Sequence, residues 1–184
     1  MKKKVYVLLA DGFELIEALT PVDVLRRGGV DVVTVSINEG NEVMSAQKVA
    51  VKSDITLSHH DITDGDMLVL PGGYPGYENL ANSKKVVEVV RKYAENDKYI
   101  CAICGAPTIF SKNGILKGKS LTCHHSVTEE MKDYKYTGKV VEKDGKLITA
   151  IGAGKALDFG IAMAEVLVDA QTLENIKKGM EILK

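Results

Sequence analysis

The chain predicts an α/β fold in which helices cover both faces of a mostly parallel sheet. Three observations carry this. Strand-like and helix-like apolar patterns alternate along the sequence, which implies right-handed crossovers. Val5–Leu9, Met67–Leu70 and Tyr99–Ile103 are almost continuously apolar, as strands buried on both faces are. Finally, the run Tyr99–Ile103 ends on Cys104-Gly105-Ala106-Pro107, where a strand turns sharply into a helix.

The elements follow in order. Lys4–Leu9 reads as a buried strand, and Thr20–Arg27 as a helix with Pro21 near its start and Gly28-Gly29 at its end. Asp31–Ser36 is a second strand, and Val49–Leu57 a weaker one at an edge or excursion. Met67–Leu70 is a short strand stopped by Pro71-Gly72-Gly73. Lys84–Glu95 repeats apolar residues at helical spacing behind Ser83, a natural N-cap. Tyr99–Ile103 leads into a helix over Ala106–Lys112, and Ser120–Thr122 is a further short strand. Val140–Glu142 and Leu147–Ala150 flank Lys143-Asp144-Gly145-Lys146, a hairpin signal. Ala156–Val168 and Ala170–Leu183 close the chain as helices.

The length of 184 residues fits a single domain, 1–184, with one substantial core. A net charge of −1 gives no electrostatic case for nucleic acid. Met1-Lys2-Lys3-Lys4 precedes an apolar run too short to span a membrane, so a cytoplasmic location is expected. Three cysteines, an odd number, read as reduced thiols and not as a disulfide framework. Cys101 and Cys104 form a Cys-x-x-Cys, but no second cysteine or histidine pair stands at tetrahedral zinc spacing, and neither metal nor cofactor is expected.

In open sheets, ligands bind beyond the carboxyl ends of the strands. Three such ends carry distinctive residues: Asp11-Gly12-Phe13-Glu14, Pro71-Gly72-Gly73 and Cys104-Gly105. Free cysteines are most often buried and inert. Cys104 departs from that because the bend sets its sulfur against helix N–H groups, which would lower its pKa and favour the thiolate. Cys101 lies inside the strand run, and alternation puts residues three apart on opposite faces, so it reads as core. His124 and His125 follow a short strand and could exchange a proton with thiol or substrate, against the ordinary reading of surface or capping histidines. His59-His60 carries little weight. Glu14 and Glu17 suit a helix start on dipole grounds alone. Buried beside the thiol, Glu17 would instead have a raised pKa and could donate a hydrogen bond. Pro71-Gly72-Gly73 offers either a tight turn or a backbone N–H for an oxyanion. Gly152-Ala153-Gly154 is a weak likeness of a phosphate loop.

These segments together resemble the ThiJ/PfpI superfamily, in the branch of the Parkinson-disease-associated protein deglycase and its bacterial relatives. The matching stretches are Ala10–Glu17, Pro21–Arg27, Leu70–Gly73, Ala102–Thr108, Val141–Gly145 and Gly152–Gly154 before Asp158-Phe159, in family order over nearly the whole chain. The resemblance implies a flavodoxin-like three-layer α/β/α sandwich with a cysteine nucleophile elbow, and a homodimer. It implies Cys104 as the reactive thiol, Glu17 as the carboxyl that hydrogen-bonds it, and His124 nearby, favoured over His125 by its distance to Met131. It also implies backbone N–H groups from Gly73 and Gly105. Two departures stand out. The peptidase-like branch has a histidine directly after the nucleophile, where this chain has Gly105, and an arginine of some relatives is replaced by Gln47 or Lys48.

The function so implied is a cofactor-independent enzyme acting on reactive α-dicarbonyls: methylglyoxal to lactate, or reversal of early glycation adducts on proteins. The alternative is a redox sensor or chaperone whose Cys104 is oxidised to the sulfinate. An amidotransferase-like or peptidase-like hydrolase is a weaker third reading.

Overall fold

A computed structural model describes residues 2–182. The strands are β1 (Lys4–Leu9), β2 (Asp31–Ser36), β3 (Glu42–Met44), β4 (Ala50–Lys52), β5 (Ile55–Thr56), β6 (Met67–Leu70), β7 (Tyr99–Ile103), β8 (Ser120–Leu121), β9 (Lys135–Tyr136), β10 (Val141–Asp144) and β11 (Leu147–Ala150). The helices are α1 (Leu15–Arg27), α2 (Gly76–Asn82), α3 (Lys84–Glu95), α4 (Thr108–Asn113), α5 (Ala156–Leu167) and α6 (Ala170–Gly179).

Seven strands form the main sheet in the order β10-β11-β7-β6-β1-β2-β5. Every neighbouring pair is parallel except β10 with β11. The central strands are apolar throughout because both faces are covered. Tyr6, Leu8, Leu68 and Leu70 pack with Val86, Val90, Ile109 and Phe110 of α3 and α4. Val5, Val7, Met67 and Val69 pack on the other face with Leu25, Phe159 and Met163 of α1 and α5. This alternation along each strand makes the three-layer α/β/α sandwich that the sequence predicts. β1, β6 and β7 are neighbours with a common direction, so their carboxyl ends share one rim.

Several local expectations are corrected. The first helix begins at Leu15, not Thr20, and Pro21 lies inside it. Proline without an N–H leaves the Glu17 carbonyl without its helical donor, a loss that the packing of α1 against the sheet outweighs. Val49–Leu57 is not one strand. β4 pairs with β3 in a separate ribbon, and β5 lies at the main sheet's edge. Thr122 lies outside β8 and Val140 outside β10. α4 starts at Thr108, two residues after Ala106, and α5 ends at Leu167. α6 ends at Gly179, and Met1 and Leu183 of the sequence reading lie outside the described residues. Lys84–Glu95 stands as predicted, with Ser83 Oγ accepting from the Val86 N–H at 3.4 Å. No described helix is long and apolar enough to cross a membrane.

Candidate active site

Cys104 sits where β7 ends, at φ +64. A left-handed backbone costs a non-glycine residue on the order of 1–2 kcal/mol, so the surroundings must hold it there. The Cys104 N–H donates to the Ala150 carbonyl at 3.0 Å, which extends the ladder between β7 and β11 past the last strand residue. The Cys104 carbonyl accepts from the His124 N–H at 2.9 Å, and the Ala106 N–H closes the turn onto Ile103 at 3.0 Å. The elbow is thus fixed from both sides, and Cys104 is partly exposed while Cys101 is fully buried.

Glu17 comes from the first turn of α1 and is completely buried. The Gly72 N–H donates to its Oε2 at 2.9 Å, while Oε1 has no N–H or O–H partner. The Cys104 thiol is the remaining hydrogen-bond partner of this carboxyl. Burial pushes the Glu17 carboxyl up to about 7, and the Glu14 charge adds to the rise. Glu14 is there because it caps α1, its Oε2 accepting the Glu17 N–H at 2.8 Å. One residue therefore caps the helix and adds to the proton affinity of Glu17. The sequence signal was the Glu-x-x-Glu spacing, which a dipole argument alone reads as a helix start.

The thiol departs from expectation. The bend was expected to lower its pKa, but the structure pushes Cys104 up to about 12. Burial is the largest cause, followed by the charge of Glu17 and the hydrogen bond to it. The N–H groups of Gly105 and Gly73 hydrogen-bond the sulfur and pull the other way. The helix dipole is weak because α4 has only 6 residues. Thiol and carboxyl are coupled, so the ionisation of one opposes that of the other. The thiol's pKa falls when Glu17 holds a proton, because the repelling charge is then gone.

The glycines before α2 are dictated by close approach. A Cβ on Gly72 would stand 2.6 Å from Glu17 Oε2 and 2.7 Å from Cys104 Cβ. Gly73 has φ +89, and its Cβ would meet the backbone of Phe13 and Glu14 at 2.5 Å or less. Glycine at both positions lets β6 deliver the Gly73 N–H to the sulfur.

His124 is brought to the elbow by its backbone. Its Nδ1 meets the Ser126 hydroxyl at 2.8 Å and accepts from the Ser126 N–H at 3.3 Å, so it caps the 3-10 turn His125–Glu130. Burial and the neighbouring His125 hold its pKa below 6.5. The two imidazoles lie with centroids 4.1 Å apart and planes tilted by 37°, with His125 exposed. Among the described residues neither ring hydrogen-bonds the thiol. His124 lines a cleft of about 540 Å³ with Gly152 and Lys155. Gln47 accepts the Leu15 N–H at 3.1 Å, and Lys48 is exposed. His59 is tied by Thr56 and Ser58 beyond β5. Among the described residues no group of three or more His, Cys, Asp or Glu is placed to hold a metal. Sequence reasoning missed α2 and with it Tyr77, whose ring lies against Gly105.

A buried carboxyl paired with a cysteine on a strand-to-helix elbow, in a three-layer sandwich, defines a class of α/β proteins organised around one thiol. The chain belongs to the DJ-1/PfpI family, whose sequence pattern matches residues 3–166. It is 36% identical over 182 residues to "Protein dj-1beta" of Drosophila melanogaster, covering 98% of this chain and 97% of that one. It is 34% identical to the "Parkinson disease protein 7 homolog" of Danio rerio, covering 95% of each. The crystal structure of Drosophila melanogaster DJ-1beta superimposes with a TM-score of 0.95 at 34% identity, over 100% of both chains.

Proposed function

We propose that the protein is a cysteine-dependent enzyme, needing no cofactor, that acts on reactive α-dicarbonyls such as methylglyoxal and on the early adducts they form with proteins. The observation that carries this reading is the hydrogen-bonded pair of Cys104 and Glu17, whose carboxyl titrates at about 7. An acid–base group poised near neutrality beside a nucleophile suits a reaction that moves protons in both directions.

The Cys104 sulfur bonds the aldehyde carbon, and its proton passes to the aldehyde oxygen, giving a hemithioacetal. The N–H groups of Gly73 and Gly105 stabilise negative charge on substrate oxygen. Glu17, as carboxylate, takes the proton from the former aldehyde carbon, and the electron pair forms an enediolate. Return of a proton to the ketone carbon, with transfer of the hydroxyl proton to the former ketone oxygen, leaves the thioester of a 2-hydroxy acid. One carbon is oxidised as its neighbour is reduced, so no outside oxidant is required. Water then breaks the carbon–sulfur bond, releasing lactate and restoring the thiol. His124, neutral near pH 7, donates a hydrogen bond to substrate oxygen.

Glu17 Oε1, which has no N–H or O–H partner, favours a second reading, in which oxidant converts Cys104 to the sulfinate and protonated Glu17 hydrogen-bonds the added oxygen. The discriminating experiment is steady-state lactate formation from methylglyoxal. Turnover by wild type that is lost in Cys104→Ser supports the enzyme. Oxidation of Cys104 without turnover supports the sensor.

We further propose a cytoplasmic homodimer. Ile16, Met44 and Val49 are exposed apolar side chains on the start of α1 and the β3–β4 ribbon. The Gly12 N–H donates to the Met44 carbonyl at 2.7 Å, which ties that ribbon to the segment leading into α1. Sedimentation velocity of wild type against Ile16→Glu tests it, with a monomeric variant as the expected result.

A further inference from the structure

We propose that Tyr77 is the specificity-determining residue of this site. It walls the space over Cys104 so that compact electrophiles reach the sulfur and aryl-substituted ones do not. The inference rests on Cys104 being the reacting thiol.

The wall is visible in what it excludes. A Cβ on Gly105 would lie 2.6 Å from two ring carbons of Tyr77 and 3.0 Å from a third. The ring is therefore in van der Waals contact with the residue that follows the nucleophile and hydrogen-bonds its sulfur. The charge of Cys104 is among those that raise the Tyr77 hydroxyl, consistent with that proximity. No side chain fits at position 105 while Tyr77 stands, so the peptidase-like branch's histidine has no room here.

The wall is also rigid. Leu80 and Ala81 of the same helix are buried in the core, so α2 has little freedom to swing. Asn79 Nδ2 donates to the Asp11 carbonyl at 2.9 Å, and Asn113 Nδ2 to the Ala81 carbonyl at 3.3 Å. Tyr77's own N–H donates to the Gly73 carbonyl at 2.9 Å, fixing its backbone to the loop that supplies the other sulfur-facing N–H. Tyr74 tilts beside it, with ring centroids 6.2 Å apart, and continues the aromatic surface outward. A rigid apolar surface over a partly exposed thiol rejects bulk by overlap, and a pocket that cannot relax discriminates more sharply than one that can.

The test reads the thiol directly and needs no turnover. Cys104 alkylation rates are measured with iodoacetamide and with N-phenylmaleimide for wild type, Tyr77→Ala and Tyr77→Phe, with alkylation at Cys104 confirmed by peptide mass. Tyr77→Ala is expected to accelerate the bulky reagent by at least about tenfold relative to the small one, the scale of steric discrimination in an apolar pocket. Tyr77→Phe keeps the wild-type ratio, because the ring and not the hydroxyl forms the wall. An unchanged ratio in Tyr77→Ala, or an equal change in Tyr77→Phe, overturns the proposal. Gly105→Ala gives a second reading of the same contact: it destabilises the wild-type protein and is tolerated in Tyr77→Ala. Equal tolerance in both backgrounds overturns the proposal as well. A shifted reagent ratio in protein that turns over no dicarbonyl sustains the wall while removing the proposed reaction.

Discussion

The carboxyl of Glu17 and the thiol of Cys104 form one titrating unit. Each is held above its ordinary pKa by burial, and each is raised or lowered by the proton on the other. Glu17 is closed to solvent and Cys104 is partly open, so the pair joins the interior to the solvent side of the elbow.

The first consequence is a pH profile. Above about pH 7 Glu17 is ionised and holds the thiol back; a neutral amide would not. Glu17→Gln is therefore expected to alkylate at Cys104 faster than wild type above pH 7, with a gap that widens with pH and closes below it. Its dicarbonyl turnover falls by about a hundredfold or more, because an amide takes no proton from carbon. Stopped-flow alkylation and lactate assays on the same preparations check both. Slower alkylation in the variant at pH 8 would contradict the repulsion argument.

The same carboxyl makes stability depend on pH. Its folded pKa is raised from 4.5 to about 7, so the folded state binds more protons than the unfolded one within that window. The contribution is fully present below pH 4.5 and is lost as pH rises through 7, amounting to about 3 kcal/mol. Denaturant titrations should show wild type losing stability relative to Glu17→Gln from pH 4.5 to pH 8. Parallel pH curves for the two proteins would remove the burial of charge from the account.

Most of the fold was legible because its elements obey one period each. β1, β6 and β7 are unbroken apolar runs, and α3 repeats Val86, Val89, Val90 and Tyr93 behind a serine cap. The errors fall where long-range packing overrules local rules. Pro21 marks a helix start in isolation, yet here it lies inside a helix whose first turn is capped by Glu14. α2 was missed because Gly-Tyr-Glu-Asn-Leu-Ala-Asn has no apolar stripe and only 7 residues. At the site, the glycine turns and the cysteine bend could be seen in the sequence. The rise of the thiol pKa could not, since it comes first from the burial of Cys104 in the folded chain and then from the charge of Glu17 packed beside it.

Gly72 gives a packing prediction. An alanine methyl would press on Glu17 Oε2, on Cys104 Cβ and, at 3.0 Å, on the Ile103 carbonyl. The last is backbone and has no room to yield. Gly72→Ala should cost about 1–3 kcal/mol and disturb the Cys104–Glu17 pair. Gly40→Ala, where nothing lies within 4 Å, should stay within about 0.5 kcal/mol of wild type. Thermal melts of the two variants side by side decide the matter; equal melting temperatures would mean that the turn relaxes freely.

The adjacent histidines separate by what their rings already do. Because His124 Nδ1 accepts the Ser126 N–H, the neutral ring carries its proton on Nε2, where it serves as a donor. His124→Ala should lower kcat/KM for methylglyoxal by about tenfold or more, and it also removes the cap of the following 3-10 turn at a cost of about 1 kcal/mol. His124→Asn retains a capping acceptor without an imidazole, so it should regain the stability and not the activity. His125 is exposed, and its alanine variant should stay within about twofold of wild type. Steady-state kinetics with melts on the three variants resolve the assignment. A loss in His125→Ala equal to that in His124→Ala would move the proton-donating role to the outer ring of the pair, and a fully active His124→Asn would leave His124 as a cap alone.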